Sequence, residues 1–292
     1  MAERNAKLIL MVGVLGVSAS AILVRFSQAP SGVTAAYRLG WTVLLLLPVV
    51  LLRCRAELRR VTARDLVLCG ASGVLLALHF LTWFESLKRT SVASSTVLVS
   101  TKVIFTALGF ALFLHGKIPR LGVWAILLAF GGSALLALSG GGGAGELSGN
   151  LLALAAASAA AVYTLIGRVQ RGHLSTTVYT FLTYLACFLT LLLGTAAAGT
   201  PLTGYGGREW LIGLALAVLC TLLGHSLFSW CLKYLSPSYV SAAKLCEPVF
   251  SSLAAIPLFG EVPGPLQLAG GAAVLGAVLL YTWAEREKTP AG

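Results

Sequence analysis

The chain has 292 residues, of which 58% are hydrophobic and 11% are charged, and its formal net charge is +11. A soluble domain carries about 25% charged residues on average, so this composition excludes a soluble enzyme, a disordered chain and a secreted disulfide scaffold. It predicts an all-α integral membrane protein. The basic residues are spread between apolar runs and form no single patch, which argues against nucleic-acid binding.

Apolar runs bounded by charged residues, Pro or Gly predict ten membrane spans, because a helix of roughly 20 apolar residues crosses a bilayer. The first run follows Arg4 and Lys7 and is interpreted as a span, since it is longer than the apolar part of a signal peptide. In chain order, the predicted spans cover 7–26, 31–52, 66–87, 92–114, 120–139, 147–167, 174–198, 209–232, 236–259 and 264–284.

Lys and Arg in the connecting segments predict the orientation, because cytoplasmic loops of membrane proteins are enriched in both. With a cytoplasmic N-terminus, fourteen of these residues fall inside and four fall outside. The outside residues are Arg25, Lys88, Arg89 and Arg208. Both termini are therefore expected to be cytoplasmic.

An internal repeat accounts for most of the chain. Residues 81–138 and 226–283 align at a constant offset of 145 without a gap, and Arg25 corresponds to Arg168 at an offset of 143. Each half then holds five spans, and because five is odd, the second half enters the membrane inverted. Inverted repeats around a midplane site are typical of secondary transporters. The predicted organisation is a first repeat at 7–139, a Gly-rich connector at 140–146, a second repeat at 147–284 and a cytoplasmic tail at 285–292.

Charged residues inside the predicted spans are the main site candidates, because an ionisable group at that depth normally faces a polar interior. Lys102 lies in span four, and Lys244 and Glu247 lie in span nine. The offset of 145 pairs Lys102 with Glu247. In one interpretation, a lysine attracts a substrate carboxylate while Glu247 attracts an amine or carries a proton. In the other, Lys244–Glu247 or Lys102–Glu247 is a structural ion pair.

Further candidates lie in spans two, three and eight. Arg38 follows Tyr37, and it either lines the cavity or extends toward the membrane interface. His79 and Trp83 are four residues apart and share a face of span three, while His225 lies in span eight. A histidine within a helix is more often a hydrogen-bonded packing residue than a proton carrier.

The sequence carries no motif for metal binding, nucleotide binding or nucleophilic catalysis. Its only aspartate, Asp65, is expected in a loop, and its six cysteines lack metal-ligand spacing. We therefore expect no cofactor, no metal site and no enzymatic activity.

Four short motifs give the chain a family resemblance. They are Ala36-Tyr37-Arg38-Leu39, Ser91-Val92-Ala93-Ser94-Ser95, Cys246-Glu247-Pro248-Val249-Phe250 and Phe259-Gly260-Glu261. With them, residues 7–284 resemble the EamA-type transporters of the drug/metabolite transporter superfamily. The resemblance implies two EamA modules in a bacterial inner membrane and the transport of a small metabolite, often by export. One departure is His115-Gly116-Lys117, which stands where the family pattern has Gly-Glu after span four.

These observations predict a secondary transporter that moves a small organic metabolite, such as an amino acid, by alternating access. Export is the expected direction, and membrane lipid surrounds the protein. Proton coupling and a homodimer both stay open. The alternative functions are a structural membrane subunit without transport and, less favoured, an intramembrane enzyme.

Overall fold

The computed structural model describes residues 2–113, 115, 118–139, 144–224, 227, 231, 240 and 243–286. The secondary structure elements within those residues are all helical. They are α1 (Ala2–Phe26), α2 (Ser31–Arg53), α3 (Arg55–Leu58), α4 (Ala63–Arg89), α5 (Val92–Ser100), α6 (Lys102–Phe113), α7 (Arg120–Ser139), α8 (Ala144–Gln170), α9 (Thr176–Ala197), α10 (Gly207–Ala215), a π-helix (Leu216–Leu223), α11 (Cys246–Phe259) and α12 (Pro265–Arg286).

Within the described residues, seven helical segments are long and apolar enough to cross a membrane, as expected of a multi-pass membrane protein. They are Asn5–Phe26, Ser31–Arg53, Ala63–Arg89, Val92–Phe113, Gly145–Gln170, Thr176–Ala197 and Pro265–Ala284. These segments coincide with predicted spans one to four, six, seven and ten. The fifth predicted span falls on α7, whose apolar part, Arg120–Leu136, is shorter. Spans eight and nine fall partly outside the described residues, so the total of ten stays a prediction.

Small residues bring the long helices close together. α4 packs against α8 and α9, and α7 packs against α12. A Cβ atom added at Gly73 of α4 would lie 2.5 Å from the Cβ of Ala186 and 2.7 Å from the carbonyl oxygen of Thr183. Only glycine fits there without displacing α9. Close approach through small residues is the usual way in which helices associate inside a membrane.

Asp65 lies in the first turn of α4, so its expected placement in a loop is wrong. It forms a reciprocal capping box with Thr62, whose hydroxyl accepts the Asp65 N–H at 3.2 Å. The Asp65 Oδ1 atom lies 3.1 Å from Nε2 of Gln170 and 2.7 Å from Nε2 of His173. The α2–α4 connection and the α8–α9 turn therefore lie at the same end of the bundle, which we call the basic end because it carries Arg53, Arg55, Arg59, Arg60, Arg64, Arg168 and Arg171.

Candidate functional site

The fourth membrane segment is interrupted near its middle, at Thr101. The Thr101 N–H and hydroxyl both donate to the carbonyl of Leu98, at 3.1 and 2.6 Å, and the Ile104 N–H donates to the carbonyl of Thr101 at 2.8 Å. These bonds to the third residue back form a tight 3₁₀ turn, which separates α5 from α6. As a result, Lys102 is the first residue of α6.

A second interruption precedes α11. Leu245 forms a turn, and α11 begins at Cys246 with Glu247 in its first turn. Thr101 corresponds to Cys246 at the sequence offset of 145, so the two interruptions lie one residue apart in the alignment. Pro248 occupies the first turn of α11, where a backbone N–H has no partner within the helix, and it is tolerated for that reason. Discontinuous helices at corresponding positions are a feature of transporter binding sites.

Arg38 is buried inside the bundle, with 6% of its surface exposed. Its Nε donates to Oγ1 of Thr221 at 3.0 Å, and its Nη1 donates to Oγ of Ser20 at 3.1 Å. Its guanidinium carbon lies 4.6 Å from the ring centre of Phe80. The side chain therefore does not extend to the membrane interface, and its hydrogen-bond partners are neutral.

The π-helix places Thr221 beside Arg38. The hydroxyl of Thr221 donates to the carbonyl of Leu216, five residues earlier, at 3.2 Å, and also accepts from Arg38. Short π-helical segments occur often at functional sites, because the wider turn reorients one side chain. Sequence reasoning missed Ser20 and Thr221, since single hydroxyl residues in apolar helices are common and carry no distinctive spacing.

His79 and Trp83 form a stacked pair on α4, with ring centres 5.8 Å apart. Nδ1 of His79 lies 2.9 Å from the carbonyl oxygen of Ala156, an atom that can only accept, so this nitrogen carries a proton. The indole N–H of Trp83 is buried and has no hydrogen-bond acceptor in the part of the chain that the structure describes.

Five of the predicted site residues lie within electrostatic range of one another. Glu247 is within range of Lys102, Arg38 and Lys244, and His79 is within range of Lys102 and Arg38. No direct ion pair connects Lys102 to Glu247 in the described residues. We call these five residues, together with Trp83, the central cluster. Within the described residues it combines three basic side chains with one carboxylate.

Of the two remaining candidates, only Tyr37 belongs to the described residues. The hydroxyl of Tyr37 donates to the carbonyl of Leu202, and its ring stacks on Trp210 with centres 4.1 Å apart. Tyr37 thus contacts α10 and the loop before it, not the central cluster. His225 lies outside the described residues.

Polar contacts close the end of the bundle opposite the basic end. Lys88 Nζ donates to the carbonyl of Ala29 at 2.6 Å, and Arg208 Nη2 donates to the carbonyl of Phe26 at 3.1 Å. The buried carboxylate of Glu209 accepts from the Ser27 hydroxyl at 2.6 Å and from the backbone N–H of Gln28 at 3.1 Å. These contacts tie the α1–α2 connection to α4 and α10. We call this end of the bundle the closed end.

Comparison with known proteins identifies the family. Residues 5–138 and 147–283 each match the EamA-like transporter family. The chain belongs to this family. The EamA module is therefore present twice, and the chain is a membrane transporter by family.

Two curated relatives of this EamA protein are named as exporters. One is the pseudopaline exporter CntI of Pseudomonas aeruginosa (strain UCBPP-PA14), which is 24% identical over 207 residues, or 71% of this chain and 72% of the relative. The other is a probable terminal-alkyne amino-acid exporter of Streptantibioticus cattleyicolor, which is 28% identical over 233 residues, or 76% of this chain and 75% of the relative.

The fold of this EamA protein also has a counterpart among solved structures. One crystal structure matches with a TM-score of 0.60 at 18% sequence identity, covering 96% of this chain and 98% of that chain. At this level of identity the likeness concerns the fold alone.

Proposed function

We propose that this EamA protein is a secondary transporter that exports a small amino-acid-like metabolite across the bacterial inner membrane. The observation that carries the proposal is the central cluster, in which three basic side chains and one carboxylate lie within electrostatic range beside two helix interruptions. A zwitterionic or anionic metabolite suits such a cluster because its carboxylate is attracted by the basic side chains. The names of the two exporter relatives agree with a substrate of this kind.

In this proposal, each member of the cluster has a role. Arg38, Lys102 and Lys244 attract a substrate carboxylate, and Glu247 attracts an amine or carries a proton. His79 and Trp83 form an aromatic wall, and the free indole N–H donates a hydrogen bond to the substrate. The transporter needs no cofactor, and proton coupling depends on Glu247.

The proposed mechanism is alternating access by two inverted repeats of five spans, with both termini cytoplasmic. Two inverted halves can exchange packings, which gives inward-open and outward-open states of similar energy. The polar contacts of the closed end support an outward-closed state. An open cavity at the basic end, lined by Lys102, supports access from the cytoplasm in the same state.

A ligand screen on the purified protein in lipid nanodiscs tests this function. We expect amino acids with a free carboxylate to raise the melting temperature, because they bind the folded state. Their methyl esters are the matched controls and should have a much smaller effect, since they lack the anionic group. Equal stabilisation by acid and ester would contradict the proposed site.

The same screen separates the alternative functions. A structural membrane subunit would show no stabilisation by any amino acid, purine or quaternary amine. An intramembrane enzyme would convert the stabilising ligand, and mass spectrometry of the recovered ligand detects that conversion. We expect the ligand to be recovered unchanged.

A further inference from the structure

A cavity of about 530 Å³ opens at the basic end of the bundle, between α6, α8 and α12. Three of its lining residues are cations, namely Lys102, Arg168 and Arg171. None of its lining residues is acidic. The rest of the wall consists of hydroxyl, aromatic and aliphatic side chains, namely Thr106, Thr164, Phe110, Tyr281, Val103, Ala107 and Leu165.

Among the described residues, the cations of this cavity form no ion pair. The guanidinium of Arg168 lies over the ring of Phe110, with its carbon 4.5 Å from the ring centre. In the described part of the chain, no carboxylate lies within ion-pair distance of Lys102, Arg168 or Arg171. Three positive charges around one concave space attract an anion, because a cleft lined by one charge sign concentrates counter-ions.

The contrast with Arg25 shows that this lack of a carboxylate is particular to the basic end. Arg25 occupies the position in the first half that corresponds to Arg168, and it forms an ion pair with Glu261 at 2.6 Å. Glu261 follows Gly260 in the second half, whereas the first half has Lys117 after Gly116. At the offset of 145, Glu261 corresponds to Gly116, so the first half has no acidic residue at the aligned position that would pair with Arg168.

We propose that this cavity is an entrance vestibule that binds a carboxylate of the transported metabolite. The inference rests on the proposed transport function and narrows its substrate class to small metabolites of net negative charge. Lys102 belongs both to the vestibule and to the central cluster, so it connects the entrance with the interior. Arg168 and Arg171 are then specificity-determining residues, which the sequence alone identifies only as charges at the end of a span.

The labelling rate of a cysteine placed at Thr164 reports the electrostatic potential in the vestibule, and the experiment does not require the substrate to be known. The full chain with Thr164→Cys is placed in neutral phosphatidylcholine nanodiscs and treated with an anionic or a cationic methanethiosulfonate reagent. Peptide mass spectrometry scores position 164 alone, so the six native cysteines do not interfere. We expect the anionic reagent to react at least about tenfold faster than the cationic one. Thr176→Cys, exposed at the same end but outside the cavity, gives the reference ratio.

Charge removal and competition test the assignment. In the triple variant Lys102→Gln, Arg168→Gln and Arg171→Gln, the anionic preference should fall to the Thr176→Cys ratio. Arg120→Gln, which removes a charge from the same end outside the cavity, should leave the preference unchanged. Citrate, used as a tricarboxylate probe, should slow labelling at position 164, and choline should not.

Two results would overturn the proposal. One is the absence of an anionic preference at position 164. The other is a preference that anionic phosphatidylglycerol abolishes while citrate has no effect, which would assign the cations to lipid headgroups. Both results are independent of the ligand screen. Evidence against carboxylate binding in the vestibule can therefore be distinguished from evidence against the transport function.

Discussion

Arg25 and Glu261 form an ion pair between the two EamA modules at the closed end, with Nη2 and Oε1 2.6 Å apart. The second oxygen of Glu261 accepts the backbone N–H of Val92 at 2.7 Å, and Arg25 also donates to the carbonyl of Thr90 at 3.0 Å. The guanidinium carbon lies 5.7 Å from the ring centre of Phe259. The ends of α1, α4 and α11 and the start of α5 are thus held together.

Loss of this ion pair should favour opening of the closed end. We expect Glu261→Gln to increase the labelling rate of a cysteine at the buried position Ser95 by at least about fivefold. A charged hydrogen bond contributes roughly 1.5–3 kcal/mol, and even a partial loss of that amount changes an opening equilibrium by such a factor. The measurement is labelling by a membrane-impermeant thiol reagent in intact cells.

Glu85→Gln is the matched control for this prediction. Glu85 pairs with Arg89 at 2.8 Å, but both residues belong to α4, so this ion pair does not connect the two modules. Its loss should leave labelling at position 95 unchanged. Similar increases in both variants would show that any lost charge loosens this end, and would refute a specific role of Glu261.

Replacement of Arg38 should separate stability from transport. Arg38 is buried among neutral hydrogen-bond partners, so Arg38→Met breaks no direct ion pair in the described residues. We expect the loss of unfolding free energy to be well below the roughly 3–5 kcal/mol that follows removal of one partner from a buried ion pair. Transport and ligand-induced stabilisation should both be lost. A large fall in melting temperature with transport retained would instead assign Arg38 a structural role.

Exchange of the charges at Lys102 and Glu247 tests whether they act as a structural bridge. We expect the double variant Lys102→Glu with Glu247→Lys to insert at near-normal levels but to lose transport, because in the proposed site each charge contacts a different group of the substrate. Membrane expression and transport are scored separately in both single variants and in the double variant. Recovery of transport in the double variant would show that the two residues serve only to bind each other.

Gly73 should be intolerant of a methyl group, whereas Gly70, one turn earlier on the same helix, should accept it. A Cβ at Gly73 would lie within 2.7 Å of atoms of α9, and a Cβ at Gly70 has no atom within 4 Å. We expect Gly73→Ala to destabilise the protein by about 1–3 kcal/mol through overpacking. Gly70→Ala should be neutral or stabilising by up to about 1 kcal/mol. Melting temperatures in one detergent provide the comparison, and equal effects would contradict close α4–α9 packing.

The predicted orientation places the Gly140–Gly145 connector outside the cytoplasm, because the loop charges favour cytoplasmic termini. A cysteine at Gly142 should therefore react with a membrane-impermeant thiol reagent added to intact cells. A cysteine at Arg59, in a segment expected inside, should react only after permeabilisation. The reverse pattern would invert the topology and place the vestibule on the outer side.

Much of the membrane architecture could be predicted from local sequence. Seven predicted spans coincide with helical segments of sufficient length and apolarity, since both properties depend on neighbouring residues alone. The sequence also contained the signal that places Asp65 in a helix, namely Thr62 three residues before it, which is the spacing of a capping box. Lys102, Lys244 and Glu247 were identifiable because a charge within an apolar run is conspicuous.

The partners of these residues could not be predicted in the same way. Ser20 and Thr221 reach Arg38 from α1 and from the π-helix, and a hydroxyl in an apolar segment has no distinctive pattern. Arg168 and Arg171 are basic residues in a predicted cytoplasmic loop, where Lys and Arg are common. The sequence therefore gave no sign that they line a cavity together with Lys102. Tyr37 adjoins Arg38 in sequence yet contacts Trp210, because neighbouring residues on a helix point in different directions.

The sequence by itself determined the membrane class, most of the spans and the family, because composition, apolar length and short motifs are carried by contiguous residues. Only the tertiary structure decided which charged residues lie close together. Arg25 pairs with Glu261 at the closed end, and Arg168 and Arg171 line the same cavity as Lys102. A membrane helix is apolar on nearly every side, so hydropathy does not reveal which face turns inward. Close packing at small residues such as Gly73 determines which face of a helix turns inward. That orientation in turn determines which residues surround each buried charge.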